Sequence, residues 1–210
     1  MLFKIDLHVH SKYSGDTDSD PEESVVLAIE QGLNGLAFTE HYSYEASEHA
    51  ESLKEKYEDV ITIFRGVEFS AEEGHCLIFG VNTDRLLTPY TPIEDVLKIV
   101  NKAGGVVIPS HPYRRGNSLG EMLFTLTELC AIEGFNGANM KAFNDKAIQT
   151  ERELGIPYTG GSDAHEPREV GSCFTEFRER IVEDNFIDLL RNGRYQGIDT
   201  RKVSRTGWFF

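Results

Sequence analysis

The sequence predicts an α/β fold of parallel strands, and three observations carry that prediction. Short apolar runs alternate with helix-like stretches through most of the 210 residues. Residues of metal-ligand type fall repeatedly at the ends of the apolar runs. In a parallel barrel those ends share one face, and active sites lie there.

The elements read in order as follows. Met1 to Leu7 is a short, mostly apolar run that fits a buried strand ending near His8. His8 and His10 stand two apart, so both imidazoles project to the same side of that strand. A polar loop over residues 11–20 leads to Asp20 as an N-cap, with Pro21, Glu22 and Glu23 in the first helical turn and a stop at Gly32. Leu36 to Thr39 is the second strand and delivers Glu40 and His41. Residues 45–58 are charged and read as a helix with a weak apolar face. Val60 to Phe64, extended by Gly66 and Val67, leads into Glu68. After Gly74 come His75 and a strand from Cys76 to Val81.

Ile93, Val96, Leu97 and Val100 mark an amphipathic helix closed by Gly104 and Gly105. Val106 to Ile108 delivers Ser110 and His111. Ser118 and Glu121 have capping-box spacing and predict a helix through Leu129. A strand over Cys130 to Glu133 and a helix from about Asn144 to Glu153 follow. Ile156 to Thr159 is the last inner strand and delivers Asp163 and His165. Beyond Phe174 the sequence reads as one closing helix, Phe186 to Leu190, and a tail. No linker or repeat divides the chain, so residues 1–210 are expected to form one domain, its motifs within 1–175.

Composition narrows the function. Lys and Arg total 21 against 35 Asp and Glu, a formal charge of −14. Such a field repels long nucleic acid and anionic membranes unless reversed locally, as by bound cations. No apolar run reaches the length of a membrane span. Cys76, Cys130 and Cys173 are too far apart for a thiolate zinc site and suit a reducing compartment. A cytoplasmic location follows by elimination.

Six of seven histidines stand at or after strand-like runs: His8, His10, His41, His75, His111 and His165. His49 falls in a polar helical stretch and reads as a surface residue. One strand-end histidine alone is as well explained by a structural hydrogen bond; six on one face, joined by Glu68 and Asp163, point to metal. Imidazole plus carboxylate without thiolate suits Zn, Mn or Fe. The candidates outnumber the roughly three protein ligands of one catalytic ion, so two to three divalent ions are expected, bridged by a carboxylate such as Glu68.

His8-Val9-His10, Thr39-Glu40-His41, Gly66-Val67-Glu68, Ser110-His111-Pro112 and Gly161-Ser162-Asp163-Ala164-His165 resemble, in order, the motifs of the PHP (polymerase and histidinol phosphatase) family. Glu40 stands where that family commonly has Asp, which weakens the case for a direct role of its carboxylate. The resemblance implies a distorted seven-stranded (β/α) barrel, TIM-like, with the metal site at the C-terminal strand ends. It also implies a trinuclear centre that hydrolyses phosphate esters. Carried over by position, His8, His10, Glu68 and Asp163 hold one ion, Glu68, His75 and His111 a second, and His41, His165 and Asp16 a third. Hydrolysis is expected by attack of a hydroxide held between metals, with Asp163 or His165 assisting proton transfer. Arg114 and Arg115 follow His111, and Arg168 follows His165; all three are candidate phosphate contacts.

The expected reaction is hydrolysis of a small phosphomonoester, a nucleotide or a short oligonucleotide, with histidinol phosphate among the candidates. Two rival classes are a metal amidohydrolase, which usually bridges its metals with a modified lysine, and a non-catalytic metal-binding module. A homo-oligomer is left open, as is any role for Trp208 to Phe210.

Overall fold

A computed structural model describes residues 2–202; Trp208 to Phe210 lie outside them. The elements are β1 (Phe3–Val9), α1 (Pro21–Glu30), β2 (Gly35–Phe38), α2 (Ala50–Lys56), β3 (Thr62–Ser70), β4 (His75–Phe79) and α3 (Ile93–Lys102). There follow β5 (Val106–Pro109), β6 (Ile132–Asn136), α4 (Lys141–Leu154), β7 (Tyr158–Gly161), β8 (Cys173–Phe177), α5 (Glu183–Asn192) and β9 (Tyr195–Asp199). One sheet runs β5-β4-β3-β2-β1-β8-β9, and β6 and β7 form a second. The two sheets meet where the Asp163 N–H donates to the His8 carbonyl (2.7 Å) and the His10 N–H to that of Ala164 (2.9 Å). The strands β1 to β7 thus curl around a common interior, the distorted barrel expected.

Strand direction departs from the all-parallel expectation. β1, β2 and β3 are parallel, but β4 is antiparallel to both β3 and β5, and β8 and β9 run antiparallel beyond β1. Four residues separate Ser70 from His75, enough for a hairpin and far too few for a parallel crossover. His75 therefore begins its strand where its neighbours end theirs, and the reversal sets it on their open face, opposite Ser70.

Asp20 caps α1 as expected, accepting from the Glu22 N–H at 2.9 Å. Ser118 does not cap a helix. Its hydroxyl donates to the Arg114 carbonyl at 2.5 Å, and only a 3-10 segment, Gly120–Thr125, forms after it. Residues 45–58 divide into a 3-10 segment, Glu45–His49, and α2. The strand predicted near Cys130 lies two residues later, and β8 and β9 occupy a stretch expected to hold only a helix and a tail.

Helices cover the barrel where their apolar stripes predict. Ile93, Val96, Leu97 and Val100 of α3 are buried against Ile78 and Val107. Val25 and Ala28 of α1 lie on Leu36 and Phe38. Phe186 of α5 stacks on Phe64 at 4.1 Å and meets Phe79 edge-on at 5.3 Å. No helix among the described residues is long and apolar enough to cross a membrane.

Candidate metal centre

The nine candidate ligands join in one cluster at the open end of the barrel. Its hub is Glu68 at 1 % exposure. Oε1 of Glu68 lies 2.7 Å from His111 Nε2 and 3.4 Å from His75 Nδ1. Oε2 lies 3.2 Å from His41 Nδ1 and 3.4 Å from Nε2 of both His8 and His10. Asp163 Oδ1 faces the same two imidazoles at 3.4 and 3.3 Å. At the rim, Asp16 Oδ2 lies 3.1 Å from His41 Nε2 and 3.0 Å from His165 Nε2.

Buried partners orient the inner ligands. His8 Nδ1–H donates to Glu133 Oε1 at 2.8 Å, leaving Nε2 to face the centre. His10 Nδ1 lies 2.9 Å from Ser14 Oγ. That hydroxyl donates to Glu40 Oε2 at 2.5 Å, so it accepts from His10 Nδ1–H, and Nε2 of His10 is also left to face the centre. Ser110 Oγ donates to Glu68 Oε1 at 2.8 Å. Asp163 Oδ2 takes Arg114 Nη2 at 2.5 Å and Asn136 Nδ2 at 3.2 Å. Such outer partners fix the tautomer and aim of a metal ligand.

Local backbone serves the same end. Asp163 (φ +54°) and His111 (φ +31°) both sit in the left-handed region, which costs non-glycine residues about 1–3 kcal/mol. Gly161 has the opposite task. A Cβ there would meet His8 Cβ at 2.5 Å and Glu133 Oε1 at 3.0 Å, so only glycine lets β7 pass this close to the site.

The donor set fits cations. Nε2 of His8 and Nε2 of His10 face each other at 3.1 Å with both Nδ1 atoms committed elsewhere. Two lone pairs so placed repel unless a proton or a metal lies between them. His41 Nδ1 is buried without a hydrogen-bond partner, as is His111 Nδ1. Three groups of ligand atoms converge closely enough to hold an ion: His8, His10, Glu68 and Asp163; His41, Glu68 and His75; and His10, His41 and His165. His41 and His10 are each shared between groups, a closer fusion than the resemblance implied.

Charge says the same. Burial opposes a proton on His10, but hydrogen bonds to Asp163 and Glu68 outweigh it and push its pKa up to about 9. Burial likewise opposes a proton on His8, and the charges of Asp163, Glu133 and Glu68 raise its pKa well above the ordinary value. Burial with His10 alongside pushes His41 down to about 4. Glu68 and Asp163, which burial alone would raise, are held well below the carboxylate range, mainly by His8. Behind them Asp6 accepts from the N–H groups of Ser162 (2.9 Å) and Gly171 (2.8 Å), and burial raises it to about 6.

Of the three arginines, only Arg114 reaches the cluster, and Asn136 and Asn139 hold its guanidinium besides Asp163. Arg115 is exposed. Arg168 is 79 % exposed and pairs with Glu166 at 2.6 Å. Lys12 pairs with Asp20 at 2.8 Å, away from the imidazoles around Glu68. His49 is not a surface residue. Its side chain is 7 % exposed, its Nε2 lies 2.8 Å from Glu40 Oε1, and the Tyr13 ring stacks on it at 4.4 Å. Glu40, bound by Ser11, Ser14 and His49, orients a ligand from behind the cluster.

Sequence reasoning passed over Glu133 and Ser14. Glu133 had a signal, a single charge inside an apolar strand; Ser14 had none, lying in a polar loop.

Comparison with known proteins places this site in a family. The PHP domain model matches residues 6–134, and the PHP-associated model matches residues 141–195. An uncharacterised protein of Methanocaldococcus jannaschii is 28% identical over 146 residues, 63% of this chain and 81% of that one. A two-domain protein of Bacteroides vulgatus, containing a predicted PHP-like metal-dependent phosphoesterase, superposes with a TM-score of 0.70. It is 20% identical over 95% of this chain and 65% of its own. The lesion-specific endonuclease EndoQ of Pyrococcus furiosus superposes with a TM-score of 0.69, 18% identical over 94% of this chain and 58% of its own. These structures share the fold, and the first domain model covers more than half of the sequence: the chain belongs to the PHP domain family.

Proposed function

We propose that this protein hydrolyses small phosphate monoesters, nucleotides included, using two or three divalent ions. PHP family members are metal-dependent hydrolases that act as phosphoesterases. The observation that carries the reading is Glu68, one buried carboxylate with five imidazoles around its two oxygens. His8, His10, Glu68 and Asp163 would hold one ion. Glu68, His75 and His111 would hold a second beside His41, and His41, His165 and Asp16 a third.

Ions so held would supply a nucleophile at neutral pH and would neutralise charge on phosphoryl oxygens. The chain's own residues do the rest. Asp163, held well below the carboxylate range mainly by the charge of His8, orients the inner imidazoles and is itself oriented by Arg114. His165 is 34 % exposed at the rim, with Nδ1 donating to the Asp163 carbonyl at 3.0 Å. With two ions bound and the third place empty, its Nε2 is the ring nitrogen best placed to pass a proton to a leaving oxygen. Arg114, still 30 % exposed, offers its free edge to a phosphoryl oxygen. The charge of −14 favours a small substrate over a long nucleic acid.

Elemental analysis paired with a phosphate-release screen under Mn, Zn or Fe tests the reading. Two to three ions per chain and release from monoesters are expected. Absence of stoichiometric metal under all three would overturn it.

A further inference from the structure

A cavity of about 430 Å³ opens directly beside the cluster, and Asp16, His41 and His75 form its inner wall. That volume suits the organic half of a small ester. Its outer wall carries Tyr42 and Tyr90, each 66 % exposed and each in the left-handed region at φ +69° and +62°. Both are anchored. Tyr42 touches the His41 ring at 5.5 Å, and the Tyr90 N–H donates to the Ser70 carbonyl at 3.0 Å. Large aromatic side chains held this exposed present flat faces to whatever enters.

The charge of the wall is one-sided. Among the described residues no Lys or Arg lines the cavity, while Glu72 and Glu73 do. Glu73 is committed, its Oε2 accepting from the Ile93 N–H at 2.9 Å. Glu72 is exposed, and its carboxylate has no hydrogen bond or ion pair among the described residues. At the outer wall, away from the ions that Asp16, His41 and His75 would hold, an alcohol half bearing a second phosphate or a carboxylate would meet this carboxylate with no lysine or arginine of the lining to offset it. A flat ring, neutral or cationic, would meet two tyrosine faces and an unpaired anion.

We propose that this cavity seats the alcohol half of the substrate, with Glu72, Tyr42 and Tyr90 selecting monoesters of flat, uncharged or positively charged alcohols and rejecting a second anion. The proposal rests on the phosphoesterase reading above and names the substrate class of that site.

The test uses the metal-loaded full chain and three aryl esters of different charge: 4-(aminomethyl)phenyl, phenyl and 4-carboxyphenyl phosphate, with the salt dependence separating charge from leaving-group and size effects. The expected order of kcat/KM is cationic, neutral, anionic, spanning about tenfold at low salt and narrowing as salt is added. Glu72→Gln should flatten the series and Glu72→Lys invert it. Tyr90→Ala should raise KM for phenyl phosphate more than for ethyl phosphate, which has no ring. In a second measurement benzyltrimethylammonium, a cation that metals do not ligate, is titrated into the zinc-loaded protein. Binding is expected, weakened about tenfold by Glu72→Lys. A flat wild-type series, or one that Glu72→Lys leaves unchanged, overturns this inference while the phosphoesterase reading stands. Failure to hydrolyse any ester overturns that reading instead, and binding of the cation then decides the cavity's role alone.

Discussion

The two halves of the cluster are built differently. In the inner half His8, His10, Glu68 and Asp163 are at most 2 % exposed, and each has a partner behind it: Glu133, Ser14 with Glu40, Ser110, and Arg114 with Asn136. In the outer half the side chains of His41, His165 and Asp16 are 12, 34 and 43 % exposed, and Asp16 and His165 are held chiefly within that half and its own backbone. On the proposed reading, rigidity sits where ions would be gripped and access is left where substrate would enter. The contrast ranks the expected effects of substitution.

The largest belong to the inner half. His8→Ala removes a ligand and leaves Glu133 buried without its donor. Turnover should fall about a thousandfold, equivalent to about 4 kcal/mol, with loss of at least one ion by elemental analysis. Glu133→Gln keeps the shape but weakens the hold on His8, and metal affinity should fall 10- to 100-fold with the fold intact by circular dichroism. Full metal content in His8→Ala would remove the distinction between the halves.

How much of this was legible in the sequence follows the same division. Seven of the nine candidate ligands stand at the end of an apolar run, where chain order alone implies a shared face; His75 opens its strand instead, and Asp16 lies in a polar loop where only the resemblance pointed to it. The barrel was readable from alternation, but strand direction was not, since apolar runs look alike whichever way they point; only the four-residue gap after Ser70 carried that information. β8 and β9 were missed because their short alternation, Cys173 to Phe177 and Tyr195 to Asp199, lies outside the ligand motifs. Outer partners were the least legible. Ser14 and His49 sit in polar stretches whose burial is decided by tertiary packing around Glu40, which no local pattern encodes.

A smaller effect separates proton from metal in the inner half. With its pKa raised from 6.5 to about 9, His10 holds a proton at pH 7 in the ion-free protein. The stabilisation that proton gives is complete below about pH 6.5 and is lost as pH rises through about 9. Metal competes for the same nitrogen, so loading at pH 7 should release at least about one proton, and apparent affinity should rise about tenfold from pH 7 to 8. Calorimetric titrations in two buffers of different ionisation enthalpy read the proton directly. Loading without proton release would mean that Nε2 of His10 is bare before metal arrives.

The smallest effect is expected at the rim. Among the described residues the Asp16 carboxylate pairs only with His41 and His165, and it is 43 % exposed, so Asp16→Asn leaves no buried charge uncompensated. The inner ligands and every partner behind them stay in place. Two ions should therefore remain at wild-type affinity while the third is lost or weakened, with kcat/KM reduced by about tenfold or less. Metal stoichiometry measured at limiting and at excess metal separates these cases. If Asp16→Asn instead empties the whole cluster, the halves load as one unit. The outer half would then be a structural part of the inner one rather than its entrance, since ions that repel across a shared Glu68 can bind together only when every ligand is present.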